Sequence, residues 1–256
     1  MYTTQLQAGL GLIDETKTLL ALWQPGMTTP VLVQAALGSG QFPNRTARRL
    51  RNIVAECFAP RYLVDGGRPA RHLKRLAGAL PTAELLPLLL LHTCRANEVL
   101  ADFLRQVYWD RYAAGYGDLG SEEARDFLAR AMDDGWAVKR WSETTCRRVA
   151  GYLVGCCADY GLLEGGIRTR RKILPFRLTP LLAAYLAYDL HFAGAGDNAL
   201  LDHPDWSLYG LDRKEVLEEL KRLARKDFFI VQAAGDAVKI GWSHPTMEAA
   251  IDVLAG

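Results

Sequence analysis

The sequence predicts a mainly α-helical, multi-helix protein with helix-turn-helix or winged-helix-like elements and one or two small β-hairpins. Three observations carry that prediction. Apolar residues recur at helical spacing through most of the 256 residues. The periodic stretches are separated by short Gly, Pro and Ser breaks such as Pro25-Gly26, Gly38-Ser39-Gly40 and Gly194-Ala195-Gly196. Strand, glycine tip and returning strand can be read in only two places, around 162–178 and 228–242.

Taken in order, Met1 to Trp23 reads as one amphipathic helix after a short lead, with Leu12, Thr16, Leu19, Leu20 and Trp23 on a common side. Gly9-Leu10-Gly11 lies within it, but it follows no predicted strand and lacks a third glycine, so it is not a phosphate loop. Thr29-Pro30 opens a short helix to Leu37, with proline at the first helical position. Asn44 is the expected cap of the next helix, whose buried stripe is Ala47, Leu50, Ile53, Val54, Cys57 and Phe58 and whose end is Pro60. Its outer face carries Arg45, Arg48, Arg49 and Asn52, which makes it a candidate helix-turn-helix with an unusually long connection. Arg61 to Leu80 stays basic around a turn at Asp65-Gly66-Gly67, and Glu84 to Tyr112 is apolar enough to be the central buried helix or helix pair. His92 and Cys94 within it read as core residues, since no second ligand pair accompanies them.

The stretch from Ser121 to Arg177 is where a function is most legible. Ser121 is a good N-cap with Glu122 and Glu123 in the first turn, and Ala124, Phe127, Leu128, Ala131 and Met132 share one face. Gly135 stops that helix. Ser142 caps a second one with an apolar stripe at Cys146, Val149, Ala150, Leu153, Cys156, Cys157 and Tyr160, opposite a face of Thr144, Arg147, Arg148 and Gly151. Leu162-Leu163-Glu164, Gly165-Gly166 and then Arg168 to Leu178 read as a basic hairpin carrying Arg168, Arg170, Arg171 and Lys172. Two helices followed by a charged hairpin is the order of a winged helix-turn-helix, in which one helix enters a DNA major groove and the hairpin reaches phosphate. The same pattern also suits an ordinary packing unit whose arginines are merely solvated.

Thr179-Pro180 starts another helix to Phe192, and the glycines after it are the clearest candidate linker. Asp212 caps a helix with Val216, Leu217, Leu220, Leu223 and Ala224 inside. A hairpin of Phe228 to Gln232 and Val238 to Trp242 follows, and a last helix from Pro245 packs Met247, Ile251 and Leu254. The expected organisation is therefore an N-terminal helical part over 1–118, a winged-helix-like part over 119–195, and a helix-hairpin-helix over 196–256.

Half of the residues are hydrophobic and 23% are charged, an ordinary globular composition. A formal net charge of +2 is uninformative, but its distribution is not. Residues 41–80 hold nine Lys or Arg against two acids and 136–180 hold nine against three, while 81–135 hold five against ten and 181–256 seven against twelve. Such clustering is expected of phosphate binding, and also of docking to acidic protein surfaces. The five cysteines form no CxxC pair and read as reduced core residues of a cytosolic protein. No signal peptide is evident, and the longest apolar run, Leu85 to Leu91, is too short to span a bilayer. There is no GxxxxGK[ST], HExxH or GxSxG, the histidines are scattered, and no catalytic set, metal site or cofactor site emerges, so no enzyme activity is expected.

Three stretches, Tyr2-Thr3-Thr4 through Glu15-Thr16, Asn44-Arg45-Thr46-Ala47-Arg48-Arg49, and Trp206-Ser207-Leu208-Tyr209-Gly210-Leu211 through Gln232 and Trp242, resemble the BrxA family of accessory proteins in BREX bacteriophage-defence systems. The resemblance covers most of the chain through diffuse patterns. It implies a helical cytosolic protein with a fold similar to the antitermination factor NusB, binding to double-stranded DNA, no enzyme activity, and partners among the other BREX components. It supplies no functional-residue motif. The expected contacts, Arg45, Arg48, Arg49, Asn52, Arg147, Arg148, Arg168, Arg170, Arg171 and Lys172, come from charge and helix position alone, most of them suited to phosphate. A protein-interaction adaptor and an RNA binder are the rival readings.

Overall fold

The computed structural model describes residues 1–3, 11–136, 140–166 and 168–256. Residues 4–10, which the sequence assigned to the first helix and which include Thr4, Gly9 and Leu10, lie outside the described residues. Helix α1 runs over Ile13–Leu22, later than expected. Tyr2 is instead extended, its N–H bonded to the Trp136 carbonyl at 2.9 Å and its hydroxyl to Asp102 at 3.0 Å. Helix α2 (Thr29–Gly38) has proline in its first turn, as expected. Helix α3 (Ala47–Asn52) is capped by Thr46, whose hydroxyl accepts from the Arg49 N–H at 3.2 Å, and not by Asn44. It passes through a π-helical stretch (Ile53–Phe58) into α4 (Ala59–Tyr62), so Pro60 does not end the helix. The proline follows directly on the π-helical turn, a place where the regular hydrogen-bond ladder is already interrupted.

Helices α5 (Arg68–Ala79), α6 (Thr82–Ala96) and α7 (Glu98–Phe103) follow, the last continuing through a second π-helical stretch (Leu104–Tyr108) into α8 (Trp109–Ala113). Leu85 and Leu88 to Leu91 are all buried in α6, in keeping with the central position expected for it. Its companion is α11 (Pro180–Phe192), in which every residue from Leu182 to Leu190 is buried. A helix apolar on all sides belongs in the middle of a helical protein. Its one acidic residue, Asp189, is paired with Arg95 at 2.7 Å, and Arg95 also holds Asp205 at 2.7 Å. His92 is a core histidine, bonded to the Tyr185 hydroxyl at 2.9 Å.

The two sheets are antiparallel pairs. Strand β1 (Asp118–Gly120) leads directly into α9 (Ser121–Asp133), which packs on α10 (Glu143–Asp159). Strand β2 (Arg170–Lys172) pairs with β1 in the register Asp118↔Lys172, Leu119↔Arg171, Gly120↔Arg170. The expected hairpin lies on the other edge of β2, where the chain keeps a bridge between Leu163 and Ile173 and bonds from Glu164 N–H to the Lys172 carbonyl at 2.8 Å and from Leu174 N–H to the Leu162 carbonyl at 3.0 Å. β1 adds to the remaining edge of β2 at the foot of α9, a partner about fifty positions away in sequence.

The C-terminal part comprises α12 (Asp197–Leu201), α13 (Arg213–Ala224), β3 (Phe229–Ala234), β4 (Ala237–Trp242) and α14 (Met247–Ala255). Asp212 caps α13 in a reciprocal box with Glu215, each backbone N–H bonded to the other's carboxylate at 2.9 Å. The hairpin β3–β4 has its tip at Gly235-Asp236, and Met247, Ile251 and Leu254 of α14 are buried, as expected. The buried apolar residues of the segments 1–118, 119–195 and 196–256 join in one cluster from Tyr2 to Leu254. Among the described residues, no helix is long and apolar enough to cross a membrane.

Candidate nucleic-acid interface

Helix α10 presents the face expected of it. Ser142 caps it, its hydroxyl accepting from the Thr145 N–H at 3.2 Å. Val149, Ala150, Leu153, Cys156, Cys157 and Tyr160 are buried, Cys146 is half-buried, and Thr144, Arg147, Arg148 and Gly151 are exposed. The N-cap of α9 is Gly120 and not Ser121: the Glu123 carboxylate accepts from the Gly120 N–H at 2.9 Å. A glycine is required there, because a Cβ at 120 would stand 2.7 Å from the Thr169 carbonyl oxygen on the hairpin.

The nine basic side chains expected at the interface divide by what they touch. Arg148, Lys172 and Arg48 are exposed and Arg49 is half-buried, and none of these four forms a hydrogen bond or ion pair through its side chain with the described residues. Asn52, also on α3, is exposed. Arg147 reaches one turn back to Glu143 at 2.8 Å, and Arg168 reaches Glu164 at 2.9 Å; both pairs are solvent-exposed. Arg45 is paired with Glu15 through its Nε at 2.8 Å. Arg171 donates to the Glu164 carbonyl at 3.0 Å.

Arg170 stands apart. Its guanidinium lies 2.7 Å from both Asp118 and Glu123 and 3.9 Å from Glu122, tying the hairpin to the foot of α9. Arg111 joins the same cluster, 3.4 Å from Glu123, and donates to the Asp118 carbonyl at 3.1 Å. The hydrogen bond from Arg170 holds the Asp118 carboxyl below the usual range. Partial burial alone would raise the Glu123 carboxyl, but bonds from Arg170 and from backbone N–H groups bring it below its usual value.

Asp159, at the end of α10, accepts from the Gly11 N–H at 2.9 Å, and burial raises its carboxyl above the usual value. Sequence reasoning passed over Arg51, exposed and without a side-chain partner among the described residues on α3. Its position three residues after Arg48 was the available signal.

A cleft of about 540 Å³ opens between α9 and α10, lined by Glu122, Arg125 and Asp126 of α9, by Glu143 and Arg147 of α10, and by Arg140 between them. Among the described residues no group of His, Cys, Asp and Glu is placed to hold a metal ion. The four cysteines Cys57, Cys94, Cys156 and Cys157 are free and buried. Burial pushes the Cys156 thiol up to about 12, which makes a nucleophilic role there unfavourable.

Comparison with known proteins bears on the fold and the family. A crystal structure of an uncharacterized protein from Magnetospirillum magneticum superposes with a TM-score of 0.59 over 75% of this chain and 94% of that one at 14% identity, a likeness of fold. No curated protein matches the chain. The family described as BrxA matches residues 1–189, through all the segments that build the basic surface. The chain therefore belongs to the BrxA family of BREX-associated defence proteins.

Proposed function

We propose that the chain acts without catalysis as a double-stranded DNA-binding accessory protein of its BREX system, gripping mainly backbone phosphate. The observation that carries this reading is the arrangement around α10. Strand, helix, helix, extended segment and returning strand follow one another, with the returning strand against the first strand, the order of a winged helix-turn-helix. Arg147 and Arg148 occupy the outer face of the second helix, and Arg168 and Lys172 the hairpin.

The pairings refine the contact set. Exposed pairs such as Arg147–Glu143 and Arg168–Glu164 contribute no more than about 1 kcal/mol, so a phosphate can take the guanidinium over. Arg170, held by three carboxylates, supports the hairpin and does not serve as a phosphate ligand in this reading. Arg45, Arg48, Arg49 and Asn52 on and beside α3 extend the surface, and Arg171 stiffens the hairpin base.

A gel-shift titration of the purified chain against duplex DNA and structured RNA at several salt concentrations tests this. With about four phosphates neutralised by these exposed cations, log affinity for duplex DNA falls with log salt at a slope of roughly −3.6. A salt-insensitive complex, or a preference for structured RNA over duplex, overturns the proposal.

A further inference from the structure

The C-terminal hairpin has two outer edges, and among the described residues only one of them is closed by backbone hydrogen bonds. On β4, the Val238 N–H donates to the Asn198 side chain at 3.1 Å and the Ile240 N–H to Asp197 at 3.0 Å, so α12 satisfies that edge. These bonds also fix which groups of β3 face outwards. In the register Val231↔Ile240, Ala233↔Val238, the N–H and C=O groups of Val231 and Ala233 point away from β4. Val231 is half-buried, Ala233 is exposed, and Ile230 beside them is 66% exposed.

Strand edges of this kind are ordinarily guarded by charge, proline or a bulge, because an open edge recruits another strand. From Phe228 to Ala234 there is no charged residue and no proline, and the pairing with β4 is continuous. We propose that this edge is an interface between two copies of the chain, with β3 pairing antiparallel to β3 of the second copy about a two-fold axis at Gln232. Val231 of one copy then exchanges both backbone hydrogen bonds with Ala233 of the other, and reciprocally, giving four bonds and a four-stranded sheet. The buried Phe229 lies outside this ladder.

The strand suits itself as a partner. Pairing about Gln232 sets Ile230 against Ala234 and, within 228–234, sets no charge against another. Just ahead of one strand Asp227 and Lys226 both approach Asp236, at the tip after the other, so the repulsion from Asp227 is offset by the attraction from Lys226. This edge lies beyond residues 1–189, the part matched by the BrxA family, and the inference stands independently of the DNA-binding reading.

Light scattering on the full chain at up to about 100 μM, where a micromolar association is saturated, should give twice the monomer mass. Gln232 faces its own copy across a non-hydrogen-bonded pair with about 4.5 Å between Cα atoms, so Gln232→Cys should form a disulfide-linked dimer under mild oxidation, while Lys239→Cys on β4 should not. Gln232→Lys and Gln232→Glu should each be monomeric, and an equal mixture of the two should recover the dimer. A wild-type chain that stays monomeric overturns the proposal, as does a dimer that neither links through Gln232→Cys nor responds to Gln232→Lys.

Discussion

At the scale of single residues, the arginines of the basic surface have separate tasks, and their partners distinguish them. Arg148 and Lys172 are exposed with no side-chain partner among the described residues, so reversing both charges should leave the melting temperature unchanged. The same double variant, Arg148→Glu with Lys172→Glu, should weaken duplex binding at least tenfold and reduce the salt slope by about two. Arg170→Ala should do the opposite. Its loss leaves Asp118, Glu122 and Glu123 crowded together and should lower the melting temperature by roughly 2–4 °C, while the salt slope stays the same. If Arg170→Ala flattened the salt slope and left the melt untouched, the division of labour would be wrong. None of this division was legible in the sequence, where Arg168 to Lys172 read as one basic run. The carboxylates that claim Arg170 come from about fifty positions upstream, and pairing at that distance leaves no periodic trace.

At the scale of elements, most helices were read well because they are amphipathic and separated by short turn segments. The buried stripe of α10 and its exposed Thr144, Arg147, Arg148 and Gly151 fell where the spacing put them. The hairpin β3–β4 was equally clear, since its strands are adjacent in sequence and its tip carries Gly235. β1 escaped notice. Three residues are too few to show alternation, and what stabilises them is a strand reached only after two helices. Thr46 and Asn44 are both good capping residues, and only the geometry of the first turn chooses between them. The junction of β1 and α9 offers a direct test. Gly120→Ala puts a methyl group 2.7 Å from a backbone oxygen that cannot rotate away, so the variant should lose about 1–3 kcal/mol in denaturant unfolding. Unchanged stability would show that the hairpin is free to move off α9.

At the scale of the whole molecule, buried titratable groups set how stability depends on acidity. Burial, with a contribution from Arg95, lowers His92 to about 3 from its ordinary 6.5, and burial likewise lowers His72 and His203. Burial alone would raise the Asp189 carboxyl, but Arg95 outweighs it and the net direction is down. A lowered folded pKa means that the unfolded chain binds more protons, so the stabilisation is complete above the unfolded value and is lost as pH falls towards the folded one. The melting temperature should therefore decline steadily from pH 6.5 to about 4, and His92→Gln should reduce that slope; a flat profile would contradict the burial of these histidines. The ring of His92 was legible as a core residue, whereas its partner Tyr185, and the pairing of Arg95 with Asp189, join positions more than ninety residues apart. The last helix carries a further consequence. α14 buries Met247, Ile251 and Leu254 against α5 and α11, and Arg71 and Arg75 on α5 grip Glu248 and Asp252, each at a separation of 177 residues. A ribosome adding 5–20 residues per second needs roughly 9–35 s to travel that distance. For that interval the part of the nascent α5 that α14 will cover stays open to solvent, so a chaperone that shields emerging chains should be found on ribosomes translating this message until the final turn has left the exit tunnel.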